Sequence, residues 1–212
     1  MFLNRKKILC ILIFFFTFQN YSYSETISIK NVLPFNLDNT VNAFIEIPAG
    51  TIEKWEMSPD GKTFMQELEK NGPRKIDYLP YPINYGFIPQ TLLSKSVGGD
   101  GDALDIVIIG PQIKRGSIVK VKVIGMIEMV DKGELDTKIL SVLIKDELNI
   151  SKVNSLKDLK KNYIGVLEII LIWFENYKQI SLKTKNILGK QRSLEEIRLR
   201  HNDFLSEVKN RN

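Results

Sequence analysis

The sequence is short of the residue types that most enzymes use as reactive groups. Among 212 residues, Cys10 is the one cysteine and His201 the one histidine. A single cysteine offers no disulfide within the chain. It also lies in the apolar N-terminal stretch, so thiol catalysis and cysteine metal sites are excluded from the body of the sequence. One histidine near the C-terminus rules out His-rich zinc sites and argues against a Ser-His-Asp triad. Long apolar runs are scarce as well. "ILCILIFFFTF", residues 8–18, falls short of the roughly 20 residues of a membrane span. Repeats and low-complexity tracts are absent after it.

That apolar run follows the basic start "MFLNRKK" and precedes "QNYSYSE", with Ser22 and Ser24 at the small-residue positions of a cleavage site. This pattern predicts an export signal over residues 1–24 and one domain over 25–212, exported and periplasmic. A retained membrane anchor is the competing reading. Lipid attachment at Cys10 is disfavoured because Ile8 and Leu9 are not small. Signal removal takes Arg5, Lys6 and Lys7, so basic residues fall from 30 to 27 against 25 acidic ones. Charge that nearly balances gives no reason to expect nucleic-acid binding, nor membrane association once the signal is cleaved.

What is present is a run of short strands and then helices. "VNAFIEIP" (41–48) is β-rich and ends at a Pro-Ala-Gly turn. "IEKWEMS" (52–58) alternates, and "PDGK" predicts a hairpin into "TFMQELE". "YLPYPINYGFIP" (78–89) is rich in proline and aromatics. "LDIVIIG" (104–110) reads as a buried strand, "GSIVKVKVIGMIEMVD" (116–131) as one long strand or two, and "TKILSVLI" (137–144) as another. Residues 155–178 place Leu156, Leu159, Tyr163, Val166, Leu167, Ile170 and Phe174 at helical spacing, predicting one helix with a buried face. Residues 193–212 predict a second, opened by a capping box of Ser193 and Glu196. The fold class expected is α+β, a small barrel with helices packed on it.

"GGDGDALDIVIIG" (98–110) crowds Asp100, Asp102 and Asp105 into six positions at the mouth of a strand. Asp and Gly are ordinary turn formers, so the D-G-D stretch reads first as a turn. Asp105, however, stands among apolar residues, where an unpaired carboxylate is costly. An EF-hand loop is wrong, because Leu104 occupies the third ligand position and no sixth-position glycine follows. A hard divalent cation with oxygen ligands, Mg²⁺ or Mn²⁺, is the other way to hold such charge. "MVDKGELDTK" (129–138) adds Asp131 and Asp136 at a second strand end, with a plain hairpin turn as its alternative. Five aspartates could hold more than one metal, and paired metals activate water and clamp phosphoryl oxygens. Lys54, Arg74, Lys138 and Lys178 are each flanked by aromatic or apolar sequence, and Tyr81 and Tyr85 frame a bend at Pro82 and Gly86. Each of these, singly, is as well explained by a solvated or packed side chain.

Together they resemble the family I soluble inorganic pyrophosphatases, of bacterial type. "DGDALD" fits that family's D-x-D-x-x-D signature, with Ala103 where proline is common. "FIEIP" matches the strand of its glutamate, here Glu46, and "EKWE" its segment with Lys54 and Glu56. "YPINYGFIP" matches its Y-P-x-N-Y-G core. Asp131, Asp136 and Lys138 keep its D-x4-D-x-K spacing, and "WFENYK" matches its helix end at Tyr177 and Lys178. The motifs run in the same order from about residue 41 to 178.

The resemblance implies hydrolysis of inorganic pyrophosphate to two orthophosphates with several Mg²⁺ ions, in a five-stranded OB-like barrel flanked by helices. It assigns metal binding to Asp100, Asp105, Asp131 and Asp136, and the general base to Asp102. Lys54, Arg74, Tyr85, Lys138, Tyr177 and Lys178 would hold substrate, and Glu46, Glu56 and Tyr81 would complete the shell. It suggests a homo-oligomer, commonly a hexamer. Three departures stand out: Lys132 where an acidic residue is frequent, Arg74 one residue nearer Tyr81 than expected so that Lys75 competes for its role, and no tryptophan-bearing loop after Lys178. A phosphate- or polyphosphate-binding protein on the same fold is the non-enzymatic alternative, and a phosphohydrolase for a larger phosphoanhydride the enzymatic one.

Overall fold

The computed structural model describes residues 29–58, 61–145, 147–148, 150–178 and 182–211; the expected export signal lies outside them, as do Pro59 and Asp60 of the predicted hairpin turn. Strands β1 (Val41–Ile47), β6 (Asn84–Phe87), β7 (Asp105–Ile109), β9 (Glu134–Leu143) and β8 (Ile118–Asp131) lie in that order, and β8 pairs back onto β1. The ring is therefore closed with five strands, as expected; pairing with β1 takes the first part of β8 and leaves its distal half as an edge. The pairing is antiparallel except between β7 and β9, which run parallel. β8 is one long strand rather than two, with a register shift between Val123 and Gly125.

Period-two alternation along β7 divides two cores. Ile106 and Ile108 pack with Val41, Ala43, Ile45, Met126 and Ile139, and this core reaches Ile197 of the last helix. Val107 and Ile109 face the other way, onto Leu140, Val142, Leu167, Ile170, Trp173 and Phe174. Both faces of β7 are covered, so its sequence is a continuous apolar run instead of an alternating one.

Outside the ring, β2 (Trp55–Met57) pairs with β3 (Phe64–Gln66), and β4 (Leu68–Glu69) with β5 (Gly72–Pro73). The predicted helix over 155–178 is two: α1 (Leu156–Asn162), capped by Ser155, and α2 (Val166–Asn176). Gly165 breaks them at φ 86°. Because both helices bury the same side, apolar spacing runs through the break and hides it.

After Lys178 comes β10 (Lys183–Gly189), which joins the sheet along the distal half of β8, where no strand was expected. It passes directly into α3 (Lys190–Arg211), which starts three residues before the predicted cap. Ser193 is fully buried and its hydroxyl donates to the Gly189 carbonyl (2.9 Å), while Glu196 pairs with Arg200 (3.0 Å). The capping-box pattern is thus a helix-interior arrangement. Among the described residues no helix is long and apolar enough to cross a membrane.

Candidate active site

Three backbone devices bring the carboxylates together. The parallel pairing of β7 and β9 sets Asp105 opposite Lys138. The β8–β9 hairpin turns at Lys132-Gly133, leaving Asp131 opposite Glu134 and Asp136 opposite Met129. The aspartate loop docks on the start of β9, where the Leu135 amide donates to the Gly98 carbonyl (2.7 Å). Within that loop the Asp102 amide donates to Asp100 Oδ1 (2.9 Å), so the turn reading of D-G-D is also true.

Lys138 is the hub. It is 2% exposed, and its ammonium donates to Asp105 Oδ2 (2.8 Å) and Asp136 Oδ1 (2.6 Å). The Tyr85 hydroxyl makes a short hydrogen bond to the same Asp105 oxygen. Burial alone would discharge the lysine, but the two carboxylates hold its pKa well above the ordinary value. Burial pushes Asp105 up against the pull of Lys138; at Asp136 burial also pushes up, but Lys138 and Lys178 together with its hydrogen bonds bring the pKa down. Around this hub, Lys178 Nζ lies 2.5 Å from Asp131 Oδ2, and Lys54 Nζ lies 2.7 Å from Glu56 Oε1 and 5.6 Å from the Tyr85 ring centre. Asp102 sits at the exposed rim with a raised pKa, through partial desolvation and then the negative charge of Asp100, Glu56 and Asp105.

Tyr81 is 1% exposed and packs on Trp173 at 4.3 Å between ring centres, and Trp173 stacks on Tyr177 at 4.5 Å. Burial raises the Tyr177 phenol to about 12, so it stays a hydrogen-bond donor at neutral pH. Glu46 is buried behind Lys54, Asp105 and Glu56, whose charges it feels. Its carboxylate accepts from the Met57 amide (2.7 Å), and burial lifts its pKa to about 7. Arg74 and Lys75 fall on opposite faces of their segment: Arg74 faces Glu56 and Tyr177, and Lys75 opens onto an outer cleft. Lys132 sits at the exposed hairpin tip with φ 51°.

Some partners escaped sequence reasoning. Glu67 grips Arg74 through both carboxylate oxygens (2.8 Å each) and Glu69 takes its Nε (3.0 Å). Nothing distinguishes these glutamates from other polar hairpin residues in the sequence. Trp173 lay inside a quoted motif without a role. Asn84, fully buried in the Y-P-x-N-Y-G stretch, accepts from the Ala49 and Ile113 amides and donates to the Ile108 and Pro111 carbonyls. It ties together the loops behind the site and leaves none of its polar capacity unused.

Among the described residues, no three acidic, histidine or cysteine side chains converge as a ready-made metal site; lysines occupy the carboxylates instead. The donor set nevertheless fits hard divalent cations. It is made of carboxylate oxygens alone, Asp105 and Asp136 lie within hydrogen-bonding reach of each other, and Asp102 is held among like charges.

Fold and site define a class: a closed five-stranded barrel with acids, lysines and tyrosines gathered at one mouth. The family model described as inorganic pyrophosphatase matches residues 43–204. An inorganic pyrophosphatase of Synechocystis is 37% identical over 152 residues, covering 70% of this chain and 80% of that protein. The type I inorganic pyrophosphatase of Toxoplasma gondii superposes with a TM-score of 0.75 at 31% identity, covering 83% and 86% of the two chains. A truncated vacuolar soluble pyrophosphatase of Trypanosoma cruzi, solved in complex with PPi, gives 0.76 at 28% identity over 84% and 73%. The chain belongs to the family I soluble inorganic pyrophosphatases. Its match spans 57%, 56% and 37% of three longer curated relatives, those of Chlamydomonas reinhardtii, Arabidopsis thaliana and Caenorhabditis elegans.

Proposed function

We propose that the chain hydrolyses inorganic pyrophosphate to two orthophosphates in a divalent-metal-dependent reaction. The observation that carries this reading is the hub at Lys138, a buried cation shared by two strand-end carboxylates beside a carboxylate with a raised pKa. Asp100, Asp105, Asp131 and Asp136 would hold Mg²⁺, with Mn²⁺ as a substitute. Such ions, when bound, lower the pKa of water and offset charge on phosphoryl oxygens.

The chain's own residues then position and neutralise, which is most of what phosphoryl transfer asks of a protein. Asp102, poised by its neighbours, takes the proton from the attacking water. Lys54, Arg74, Lys138 and Lys178 present cations to the substrate oxygens, and the Tyr85 and Tyr177 phenols donate to them. Of the Arg74–Lys75 pair we assign Arg74, because it faces Glu56 and Tyr177. Glu46, Glu56 and Tyr81 hold those groups in place. Lys138 and Lys178, paired here with Asp105, Asp136 and Asp131, would be released toward substrate oxygens if those carboxylates held metal instead.

Orthophosphate release from pyrophosphate with and without Mg²⁺, beside Asp102→Asn, tests the reading. Metal-dependent release that collapses in the variant supports it. Folded protein that binds pyrophosphate and releases nothing transfers the role to phosphate binding.

We further propose that the protein is of bacterial type and exported, with residues 1–24 as a periplasmic signal and 25–212 as the pyrophosphatase domain. The basic-apolar-small pattern of the N-terminus supports this. An exported form would recover phosphate outside the cytoplasm. A mature protein starting at Glu25 is the expected result of N-terminal sequencing; the full-length chain recovered in the membrane fraction would establish the anchor reading instead. A homo-oligomer, hexameric by resemblance, is supported by exposed Ile169 and Ile172 on α2 and is measured by sedimentation.

A further inference from the structure

Strand β2, which carries Lys54 just before it and Glu56 within it, is not part of the barrel ring. It is three residues long and its one strand partner is β3. Backbone bonds from Lys54 to Arg74 and from Ile76 to Ile52 tie it to another segment outside the ring. An isolated short hairpin is marginal in water, so something must fix it to the barrel wall.

The Glu46 carboxylate of β1 is one fixture, gripping the Met57 amide. The other is Arg115, in the connection between β7 and β8. Its Nε donates to the Glu46 carbonyl (2.8 Å), and its guanidinium lies over the Trp55 ring at 4.7 Å from the centre. One side chain thus joins β1 to β2 from the outer face, in a cleft of about 840 Å³ that Trp55, Glu53, Lys75 and Gln112 also line. Residues on a strand alternate faces. Trp55 faces that cleft, while Lys54 and Glu56 meet on the side of Tyr85.

We propose that Arg115 is a positioning residue for Lys54: stacked on Trp55 and bonded to the Glu46 carbonyl, it holds β2 in the register that places the Lys54 ammonium at the site. It touches no substrate. This rests on the pyrophosphate reading for its kinetic consequence but not for its structural one. A planar guanidinium is required, because the same group must stack on an indole and donate in its own plane; an ammonium does the second without the first. Arg115 makes no close ion pair among the described residues; Glu53 attracts it at longer range, and its direct contacts are the ring and the carbonyl.

The test is a double-mutant cycle of Arg115→Met and Lys54→Met, with Arg115→Lys and Trp55→Leu alongside. Arg115→Met should raise KM for pyrophosphate about tenfold with a smaller fall in kcat, the signature of lost binding. Adding it to Lys54→Met should cost less than twofold more, since both remove one interaction. Arg115→Lys should restore only part of the loss. Losses that multiply, or an Arg115→Met protein with unchanged KM, overturn the proposal. Amide exchange in the substrate-free protein gives a readout without turnover: Trp55 and Met57 should exchange faster in Arg115→Met and in Trp55→Leu, while β7 is unchanged. Unchanged protection at β2 sinks the staple. A wild-type chain that releases no phosphate sinks the pyrophosphatase reading alone, and the exchange arm still decides the role of Arg115.

Discussion

Lys138 illustrates how a buried charge can be stable and still serve chemistry. Two carboxylates repay its desolvation, and removing it leaves Asp105, partly buried, without its cation and Asp136 with only the more distant Lys178. Lys138→Met should therefore destabilise the metal-free protein by roughly 3–5 kcal/mol, the usual cost of breaking a buried pair. The loss should shrink in acid as the abandoned carboxylates take up protons; urea unfolding at two pH values measures it. Asp102 is the opposite case. Its raised pKa records partial desolvation and then repulsion from Asp100, Glu56 and Asp105, so the folded protein gains when the charge is deleted. Asp102→Asn should leave the unfolding midpoint unchanged or higher while lowering turnover about 10²–10⁴-fold, the scale of a lost general base. Glu46 supplies a pH signature. Its folded pKa, about 7, exceeds the unfolded value of 4.5. The folded state therefore binds the proton more tightly, and the stability this contributes is present in acid and lost as pH rises from 4.5 towards 7. Glu46→Gln keeps the acceptor for the Met57 amide and removes the titration. The two proteins should unfold alike near pH 4, below the unfolded pKa, and differ by about 3 kcal/mol at pH 8, with Glu46→Gln the more stable.

At the scale of elements, barrel closure depends on β6 lying hard against β1. A Cβ at Gly86 would stand 1.8 Å from the Phe44 carbonyl oxygen, a backbone atom that cannot swing away. Gly86→Ala should force the strands apart and cost about 3 kcal/mol or more, read as a fall in unfolding midpoint or as loss of soluble protein. Gly86 lies in a stretch that reads from the sequence as neither helix nor ordinary strand, and this shows what local pattern can and cannot reveal. Strands with a continuous apolar run, such as β7, were legible because burial on both faces marks them. The break at Gly165 was not, since apolar spacing continues across it. β10 was not legible either: "KTKNILG" is mostly exposed, with no buried residue, and becomes a strand because the distal half of β8 offers it an edge. Asp105 was visible as a carboxylate out of place among apolar residues, and the other aspartates by their crowding at two strand ends. The Glu67–Arg74–Glu69 clamp and the Arg115 staple were not, because each joins ordinary polar residues through tertiary contacts.

For the whole molecule the consequence is a surplus of negative charge gathered at one mouth of a chain whose overall charge is net positive, +5 with the N-terminal segment included. Self-repulsion there is a standing cost in the metal-free protein, and any cation that binds the folded state alone lowers it by mass action. At a Mg²⁺ concentration about 100 times its dissociation constant, one site adds about 2.7 kcal/mol. For a domain of this length that raises the melting temperature by about 5–10 °C. The rise should be specific. Sodium chloride at equal ionic strength screens exposed charge and gives a much smaller shift. Asp105→Asn removes one proposed ligand and should abolish most of the Mg²⁺ effect, while itself trading repulsion with Asp136 for loss of the ion pair with Lys138. Differential scanning calorimetry of both proteins, with and without Mg²⁺, separates the contributions. If wild type and Asp105→Asn respond equally to Mg²⁺, the ion is binding elsewhere, and Lys138 and Lys178 are what neutralise the strand-end carboxylates.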